Sequence, residues 1–443
     1  MRIKLKIVKV SVRKLFGIFD HTIPFNQSSG VTIVIGENGI GKTKFLESIS
    51  AIFNGNYEFL IDLDFENITI FFDNQESWEF YRDSERKSNE ILLKRNGKNI
   101  SPKPEKLFGS NRTEISKFTA DDYYHLQMDL ELDMMRNEML HHNTGVDYRT
   151  LEKHLWLKKK LKSETEKTTT PKWLVNESNK ISVKLIETQR IIARNQTRKD
   201  SYMSMVTQCS NELKDLISNA IKSSADLTSA LDSTYPNRLV KNLRKRTDYT
   251  YEQLNRELYE LNEKRKFLST TGLVVDAQES ELAIIQDEHN DLIITSMKQY
   301  VEDSKQKLEP YDGLAMKISQ FMRIINSRFK HKILKVSKED GLKFTSMIGG
   351  KKNEIREIEL TKLSSGEQHE LVLFYKLIFN SSHGDLILID EPELSLHISW
   401  QNKFIDDLKK IAEINGFSAV IATHSPDIIS SNWELSVELE GVE

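Results

Sequence analysis

An eight-residue stretch near the N-terminus, Gly36–Thr43 (GENGIGKT), limits what this chain can fold into more than any other segment. It matches the pattern G-x-x-x-x-G-K-[ST], in which a glycine-rich turn and a helix N-terminus surround a phosphate with backbone N–H groups. The β-branched run Val31–Ile35 before it predicts a buried strand, and apolar residues at helical spacing follow it. Strand, glycine turn and helix in this order predict a site for a nucleoside triphosphate. The residues expected to contact it are Gly36, Asn38, Gly39, Gly41, Lys42 and Thr43, with the Thr43 hydroxyl also placed to ligate Mg²⁺.

The composition sets limits on the kind of protein. The chain has 443 residues, enough for about two to three domains. Charged residues make up 29% of it, yet the net charge is only −3, so any contact with nucleic acid needs a local patch. Cys209 is the single cysteine, which excludes an intramolecular disulfide and a cysteine-based zinc site. No run of about 18 apolar residues and no signal-peptide core occurs, so we expect a cytoplasmic protein with no membrane contact.

Apolar runs and helical spacing divide the chain into three parts. A strand at 181–186 ends near Gln189, and the apolar runs 386–390 and 419–423 have a helical pattern between them. This βαβ order is typical of a parallel sheet. The predicted parts are an N-terminal half of the core (1–200) with an antiparallel meander over 67–100, a helical insertion (201–315), and a C-terminal half of the core (316–443).

The helical insertion carries a seam of apolar residues at alternating three- and four-residue steps. This spacing predicts a short antiparallel hairpin similar to a coiled coil, and two ordinary core helices remain the alternative. The members of the seam are Tyr251, Leu254, Leu258, Leu261 and Leu268, followed after a break at Gly272 by Leu282, Ile285 and Leu292.

Two carboxylates follow the apolar run Leu386–Asp390. Asp390 is suited to the outer coordination shell of Mg²⁺, and Glu391 is suited to polarising the water that attacks a γ-phosphate. A carboxylate pair after a strand is weak evidence alone, but the phosphate loop in the same chain makes it specific.

The segment Leu363–Gln368 (LSSGEQ) precedes a helical run. Serine and glycine at a helix start expose N–H groups and a hydroxyl to an anion. Taken alone, the same residues are better explained as an ordinary capping box formed by Ser364 and Glu367.

A histidine, His424, comes directly after the second apolar run, within ATHSP. A histidine in this place can donate a hydrogen bond to a γ-phosphate and so report which nucleotide is bound. A lone histidine more often has a structural role, so this assignment depends on its neighbours.

Taken in order, the segments GENGIGKT, LSSGEQ, LILIDE, ELSLH and ATHSP resemble the ATP-binding-cassette (ABC) class of ATPases. The resemblance covers residues 1–55 and 333–430 and favours the soluble branch, which includes the SMC-like, recombination-repair and OLD-like ATPases (AAA15/AAA21 type). Three stretches resemble ATPase subunits of bacterial anti-phage systems, the AriA subunit of PARIS first and the PtuA subunit of Septu second. These stretches are Leu231–Leu239, Leu363–Phe379 and Glu391–Trp400.

The resemblance implies a fold and a mechanism. The fold is an α/β, ABC-type P-loop ATPase core: a mixed sheet flanked by helices, an antiparallel β subdomain and a helical or short coiled-coil insertion. The activity is hydrolysis of ATP to ADP and phosphate, with ATP and Mg²⁺ as cofactors. Two subunits would sandwich ATP head to tail, as a homodimer or within a larger assembly. The signature residues expected to act across that interface are Ser364, Ser365, Gly366 and Glu367.

The same resemblance assigns roles to other residues. Gln189 would be the Gln-loop residue that contacts Mg²⁺ and the attacking water, with Gln75 as its rival. Glu391 and His424 would complete the catalytic set. Glu393 and Ser395 would belong to the D-loop that links the two sites.

Three functions compete on this basis. The first is a sensor or scaffold subunit of an anti-phage system that responds to a phage-encoded trigger and controls a separate toxic effector, a toprim or HNH nuclease. The second is a DNA-repair or chromosome-maintenance ATPase that acts directly on DNA. The third, a transporter subunit, is weakest, because the insertion is far larger than the helical subdomain of such subunits. One basic cluster could contact DNA phosphates or an acidic partner, although most clusters of this kind are solvated surface. Its members are Arg238, Lys241, Arg244, Lys245 and Arg246.

Overall fold

The computed structural model of the protein describes residues 5–82, 91–97, 105–107, 170–187, 192–194, 202–244, 249–274, 291–346 and 356–440. Its helices are α1 (Lys42–Phe53), α2 (Tyr57–Asp62), α3 (Lys172–Ser178), α4 (Met205–Leu243), α5 (Tyr251–Thr270), α6 (Asp291–Leu308), α7 (Asp312–Arg328), α8 (Ser365–Phe379), α9 (Ile398–Gln401), α10 (Phe404–Asn415) and α11 (Pro426–Ile429). Its strands are β1 (Ile7–Leu15), β2 (Phe19–Pro24), β3 (Val31–Ile35), β4 (Asn67–Phe72), β5 (Ser77–Arg82), β6 (Ile91–Asn96), β7 (Glu105–Lys106), β8 (Val183–Glu187), β9 (Ile192–Arg194), β10 (Tyr202–Ser204), β11 (Lys332–Ser337), β12 (Gly341–Ser346), β13 (Glu357–Ile358), β14 (Leu386–Asp390), β15 (Ser418–Ala422) and β16 (Ser436–Glu438). The predictions for Gln189, Lys245, Arg246, Leu282 and Ile285 lie outside the described residues.

A five-stranded sheet in the order β16-β3-β15-β14-β8 forms the centre of the core, and all its pairings are parallel. Alternate residues of β14 enter two different hydrophobic cores. Ile387 and Ile389 belong to one, and Leu386 and Leu388 belong to the other. A sheet buried on both faces needs apolar residues at nearly every strand position, which explains the continuous apolar runs of the sequence.

The two cores differ in what covers the sheet. One contains residues of α7, α8, α10, the start of α4 and strands β11 and β12, and the other contains residues of α1 and of strands β1, β2 and β4–β6. Strands β1, β2 and β4–β7 form a six-stranded antiparallel sheet in the order β2-β1-β4-β5-β6-β7, so the predicted meander is confirmed. Two smaller antiparallel sheets, β11-β12-β13 and β9-β10, are separate from it. The expected α/β core with an antiparallel β subdomain and a helical insertion is therefore confirmed. Among the described residues, the parallel strands and the antiparallel strands form separate sheets, so the two strand directions expected within one mixed sheet occur in different sheets.

The position of β1 bears on Gln75. This residue lies exposed in the turn between β4 and β5, next to the end of β1 where Ile7 pairs with Phe72. The other end of β1 reaches the phosphate loop, where a Cβ on Gly41 would lie 2.5 Å from Leu15 Cδ2. A strand of nine residues separates the two ends by about 26 Å at the usual rise per residue. Gln75 is therefore remote from the loop within this chain, which leaves Gln189 as the Gln-loop candidate.

The described residues of the helical insertion form three helices, α4, α5 and α6, where the seam predicted two arms. Helix α6 packs against both α4 and α5. The seam prediction is confirmed for Leu254, Leu258, Leu261 and Leu268, which are buried in α5, but Leu292 is 60% exposed. The reason is that α6 turns polar residues, Gln299 and Asp303 among them, toward α4, so a leucine seam does not set its orientation.

One of these polar contacts changes the basic cluster. The Arg238 guanidinium donates to both carboxylate oxygens of Asp303, at 2.5 and 2.8 Å. Bidentate pairing of this kind fixes the arginine in place. Arg238 of the predicted basic cluster is therefore paired within the chain, while Lys241 and Arg244 are exposed. None of the helices in the described ranges is long and apolar enough to cross a bilayer.

Candidate nucleotide-binding site

The carboxyl edge of the parallel sheet brings three of the sequence motifs together. Strand β3 leads into the phosphate loop, β14 ends at Asp390, and β15 ends two residues before His424. The register places Ala422 between Val34 on one side and Asp390 on the other. Ligands of open parallel sheets bind at this edge, so pairing of the strands alone assembles a site from distant parts of the chain.

The phosphate loop has the backbone shape that its glycines predict. Gly41 caps the N-terminus of α1 with φ 94° and ψ 18°, in the left-handed region, and Gly39 has φ 90°. A Cβ on Gly41 would also lie 3.2 Å from the Phe16 ring, so both conformation and space require glycine there. The loop therefore turns sharply into α1 with the helix N–H groups at its mouth.

The Lys42 side chain is folded back across this loop. Its ammonium donates to the carbonyl oxygens of Gly36 at 2.7 Å and Glu37 at 2.8 Å. Burial lowers the pKa of Lys42, and the carboxylates of Glu391, Asp390 and Glu393 oppose this shift. An ammonium has three donors, so the third N–H can meet a phosphate from inside the loop.

A cavity of about 200 Å³ opens against the loop. It places Glu391, from the far half of the sequence, beside Lys42 and Thr43. It also contains Phe16, which our sequence reasoning missed because only the pairing of β1 brings that residue to the loop. Phe16 is 41% exposed and has φ 56°, a conformation that is rare for a bulky side chain. The residues lining the cavity are Phe16, Asn38, Gly39, Gly41, Lys42, Thr43, Lys44 and Glu391.

Asp390, directly before Glu391, is half-buried and contacts the Thr43 side chain. Burial raises its pKa to about 6, the negative charges of Glu391, Glu47 and Glu393 add to the rise, and a hydrogen bond from the Thr43 side chain opposes it. A bound cation would favour the ionised form of this carboxyl. The Thr43 hydroxyl and the Asp390 carboxylate are hard oxygen donors, and Mg²⁺ is usually held by one or two such groups together with phosphates. The residues present therefore fit ATP with Mg²⁺.

Glu391 adopts a strained backbone. It has φ 44° and ψ 58°, in the left-handed region, directly after β14. Its N–H donates to the Ala422 carbonyl at 2.9 Å, which ties it to β15. Strain of this kind costs about 1–3 kcal/mol and concentrates at functional sites. The geometry turns the chain at the carboxyl edge and directs Glu391 to the loop.

His424 lies on the outer side of the same loop. With Gly36, Glu37, Asn38 and the exposed Trp433 it lines a groove of about 480 Å³. Its side chain is 44% exposed, and Nδ1 is 3.1 Å from Glu393 Oε1. The structure thus brings His424 to the phosphate loop and places Glu393 in contact with His424.

The signature segment lies elsewhere on the chain. Ser364 and Glu367 form a capping box at the start of α8, so this prediction is confirmed. Ser365 and Gly366 are exposed at the same helix start, and other residues line both cavities beside the loop. The Lys332 ammonium donates to both carboxylate oxygens of Glu367 at 2.7 Å and lowers its pKa against the effect of burial. Within the chain, Glu367 thus holds the helix start in place.

We expect Lys42→Ala to weaken binding of ATP by about 10-fold to 100-fold, because one charge-assisted hydrogen bond contributes about 1.5–3 kcal/mol. Titration calorimetry with ATP and Mg²⁺ measures the change. Lys410→Ala removes a lysine that is exposed on α10 and is the matched control, with binding unchanged. Equal affinity in Lys42→Ala and the control would contradict the role given to Lys42.

Comparisons with known proteins assign the chain to a family. No curated protein matches the chain. Two solved structures are similar: the Smc head domain with an extended coiled coil bound to the C-terminal domain of ScpA, from Pyrococcus furiosus (13% identity, 96% of this chain and 91% of that chain covered, TM-score 0.35), and the SmcHead bound to the C-winged helix domain of ScpA (11%, 96%, 91% and 0.33). A family model described as AAA ATPase domain (AAA_15) matches residues 5–429, nearly the whole chain, and the chain therefore belongs to this AAA ATPase domain family.

Proposed function

We propose that this chain binds ATP with Mg²⁺ and hydrolyses it to ADP and phosphate. The observation that carries the proposal is the cavity beside the phosphate loop, in which Glu391 faces Lys42 and Thr43 although about 350 residues separate them in sequence. A loop alone supports binding. A carboxylate held at the loop by a strained backbone supports turnover as well.

The residues of the chain divide the work of hydrolysis. Lys42 and the loop N–H groups bind the outer phosphates. Glu391 accepts a proton from the water that attacks the γ-phosphorus, and the bond from that phosphorus to the ADP oxygen breaks. When bound, Mg²⁺ would neutralise charge on the phosphates, with Thr43 and Asp390 holding it. Gln189 remains our candidate for the Gln-loop residue, since β8 lies beside β14 with Glu187 opposite Asp390.

We expect Glu391→Gln to keep ATP binding and to lower turnover by at least about 100-fold, because only the group that takes the proton is altered. Phosphate release measures turnover, and calorimetry measures binding. Glu413→Gln makes the same change of charge at an exposed position on α10 and should leave both unchanged. If Glu391→Gln loses binding as fully as Lys42→Ala, the role proposed for Glu391 is wrong.

We also propose that the active form is a homodimer, or a larger assembly of such dimers, with composite sites. The support is the separation of the motifs: Ser365 and Gly366 are exposed at the start of α8 and line neither cavity beside their own loop. In the ABC class, to which the sequence is similar, this segment meets the loop of the other subunit. The free N–H groups at a helix start suit the γ-phosphate of that partner.

Mixed dimers test this arrangement. A Lys42→Ala chain and a Ser365→Arg chain should each be inactive alone, yet the heterodimer contains one site with both motifs intact and should recover part of the activity. The measurement is phosphate release by tagged heterodimers purified through two different tags. Heterodimers without any recovery would show that the signature does not act across the interface.

For the cellular role, we propose an ATP-dependent subunit of an anti-phage system that responds to a phage-encoded trigger and controls a separate nuclease of the toprim or HNH type. The support is the similarity of three stretches to such subunits, Leu231–Leu239, Leu363–Phe379 and Glu391–Trp400. The structure adds one relevant contact: Arg238, within the first stretch, holds α4 to α6 through Asp303. A residue of a stretch that resembles defence subunits thus joins two helices of the helical insertion. This favours a scaffold over the alternative, a repair or chromosome-maintenance ATPase that acts on DNA.

Cells that carry the chain with its native neighbouring genes should survive phage infection, and both Lys42→Ala and Glu391→Gln should remove the protection. Plaque counts measure it, and a pull-down with the tagged chain should recover the nuclease. Lys410→Ala is the control and should protect as the wild type does. Unchanged plaque counts together with sensitivity of a deletion strain to DNA damage would favour the repair alternative.

A further inference from the structure

Glu393 makes two contacts to a single residue of the site. Its Oε1 accepts a hydrogen bond from the backbone N–H of His424 at 3.1 Å, and the same oxygen is 3.1 Å from Nδ1 of the His424 ring. The carboxylate therefore holds His424 at both its backbone and its ring. Two points of attachment fix the ring's orientation, which one contact would not.

The Glu393 side chain is only 7% exposed, although it carries a charge. Burying a carboxylate is costly unless hydrogen bonds or opposite charges compensate for the lost water. The backbone N–H of His424 donates to Oε1, the ring Nδ1 of His424 is 3.1 Å from the same oxygen, and Lys42 lies near enough for Glu393 to raise its pKa. Glu393 Oε2 is buried and has no hydrogen-bond partner among the residues that the structure describes. A carboxylate kept in such a place points to a function beyond the packing of the turn.

Further hydrogen bonds join the two segments around this pair. The Ser425 hydroxyl donates to Gln401 Oε1 at 2.9 Å, and Gln401 Nε2 donates to the Leu396 carbonyl at 3.2 Å. The segment after β15 and the segment after β14 are thereby held together on both sides of His424. The pair is part of a fixed network, not a chance encounter of two exposed side chains.

The chemistry of the pair determines where the ring proton lies. An ionised carboxylate can only accept hydrogen bonds, so a hydrogen bond across the 3.1 Å between Nδ1 and Glu393 Oε1 requires the proton to lie on Nδ1. Nε2 is then the ring nitrogen that remains for a ligand. It accepts a hydrogen bond when the ring is neutral and donates one when the ring is a cation.

We propose that Glu393 is the positioning residue for His424: it fixes the ring through Nδ1–H and so presents Nε2 to the terminal phosphate or the attacking water. This inference rests on the proposed ATP hydrolysis. It adds Glu393, which acts on the reaction only by orienting His424. Other charged groups near the pair are Lys42, Asp390 and Glu391, which belong to the phosphate loop and the end of β14.

A double-mutant cycle in the full chain separates positioning from a structural role. We expect Glu393→Ala to lower kcat by about 10-fold to 100-fold with KM for ATP nearly unchanged, as loss of an orienting partner does at other histidine sites. Glu393→Gln keeps an acceptor and should lose less. In a His424→Ala background the backbone N–H of residue 424 still faces Glu393, but the ring is gone. Glu393→Ala should then change kcat less than about 2-fold, since nothing remains to position.

The same loss of kcat from Glu393→Ala in both backgrounds would overturn the proposal, because it would assign the effect to the backbone contact. Glu413→Gln on α10 is the control for the change of charge. If the wild-type chain released no phosphate, the proposed function would be refuted, but the inference about Glu393 would not. A second measurement, independent of activity, tests that inference.

That measurement is the ¹⁵N spectrum of histidine-labelled full chain, with His424→Ala to identify the signals. We expect Nδ1 of His424 to carry a proton in the wild type and the ring to lose this preference in Glu393→Ala. An Nδ1 without a proton in the wild type would overturn the proposal, whatever the activity.

Discussion

Hydrogen bonding along β3, β15 and β14 is the interaction on which the rest of this molecule depends. The register Val34 to Ala422 and Ala422 to Asp390 aligns the ends of three strands from opposite parts of the chain. Each motif follows its strand by at most two residues, so it has little freedom to lie elsewhere. A slip of one residue would turn each strand's side chains to the other core and carry its motif away from the edge. Because alternate residues of β14 fill separate cores, such a slip is costly on both faces.

The site that results combines opposite charges under partial burial. Burial lowers the pKa of Lys42 and raises that of Asp390 to about 6, so the protein environment disfavours the charge of each. Their mutual attraction offsets part of this cost, as the effect of the carboxylates on Lys42 indicates. Negative phosphates beside Lys42 and a divalent cation beside Asp390 would each favour the charged form. The electrostatics of the pocket thus match the nucleotide and cation that its residues fit.

The sequence predicted the parts of this site that are contiguous in the chain. The phosphate loop, the strand ending in Asp390 and the capping box at Ser364 are local patterns, because apolar periodicity and helix capping depend on residues that are close together in the chain. Phe16 could not be predicted in this way, because only the turn after β1 places it against Gly41. The pairing of Glu393 with His424, 31 residues apart, likewise depends on the alignment of β14 with β15. Leu292 was misjudged and the pairing of Arg238 was missed for a related reason: contact between α4 and α6 decides which side chains are covered.

Ion pairs connect α8, the helix that begins at Ser365, to the neighbouring elements α7 and β11. Arg328, at the end of α7, bonds Glu370 of α8, and its guanidinium is 2.6 Å from Asp407 of α10, while Arg328 and Glu370 are almost wholly buried. Burial raises the pKa of Glu370 to about 7 and the arginine opposes this, so the carboxylate depends on Arg328 for its charge. Removing one member of such a group costs about 3–5 kcal/mol, because it leaves a buried charge without compensation. Lys332, four residues beyond Arg328, holds Glu367 one helical turn from Glu370. The segment that returns from the helical insertion is thus attached twice to one face of α8, which holds the helix start at Ser365 and Gly366 against α7 and β11.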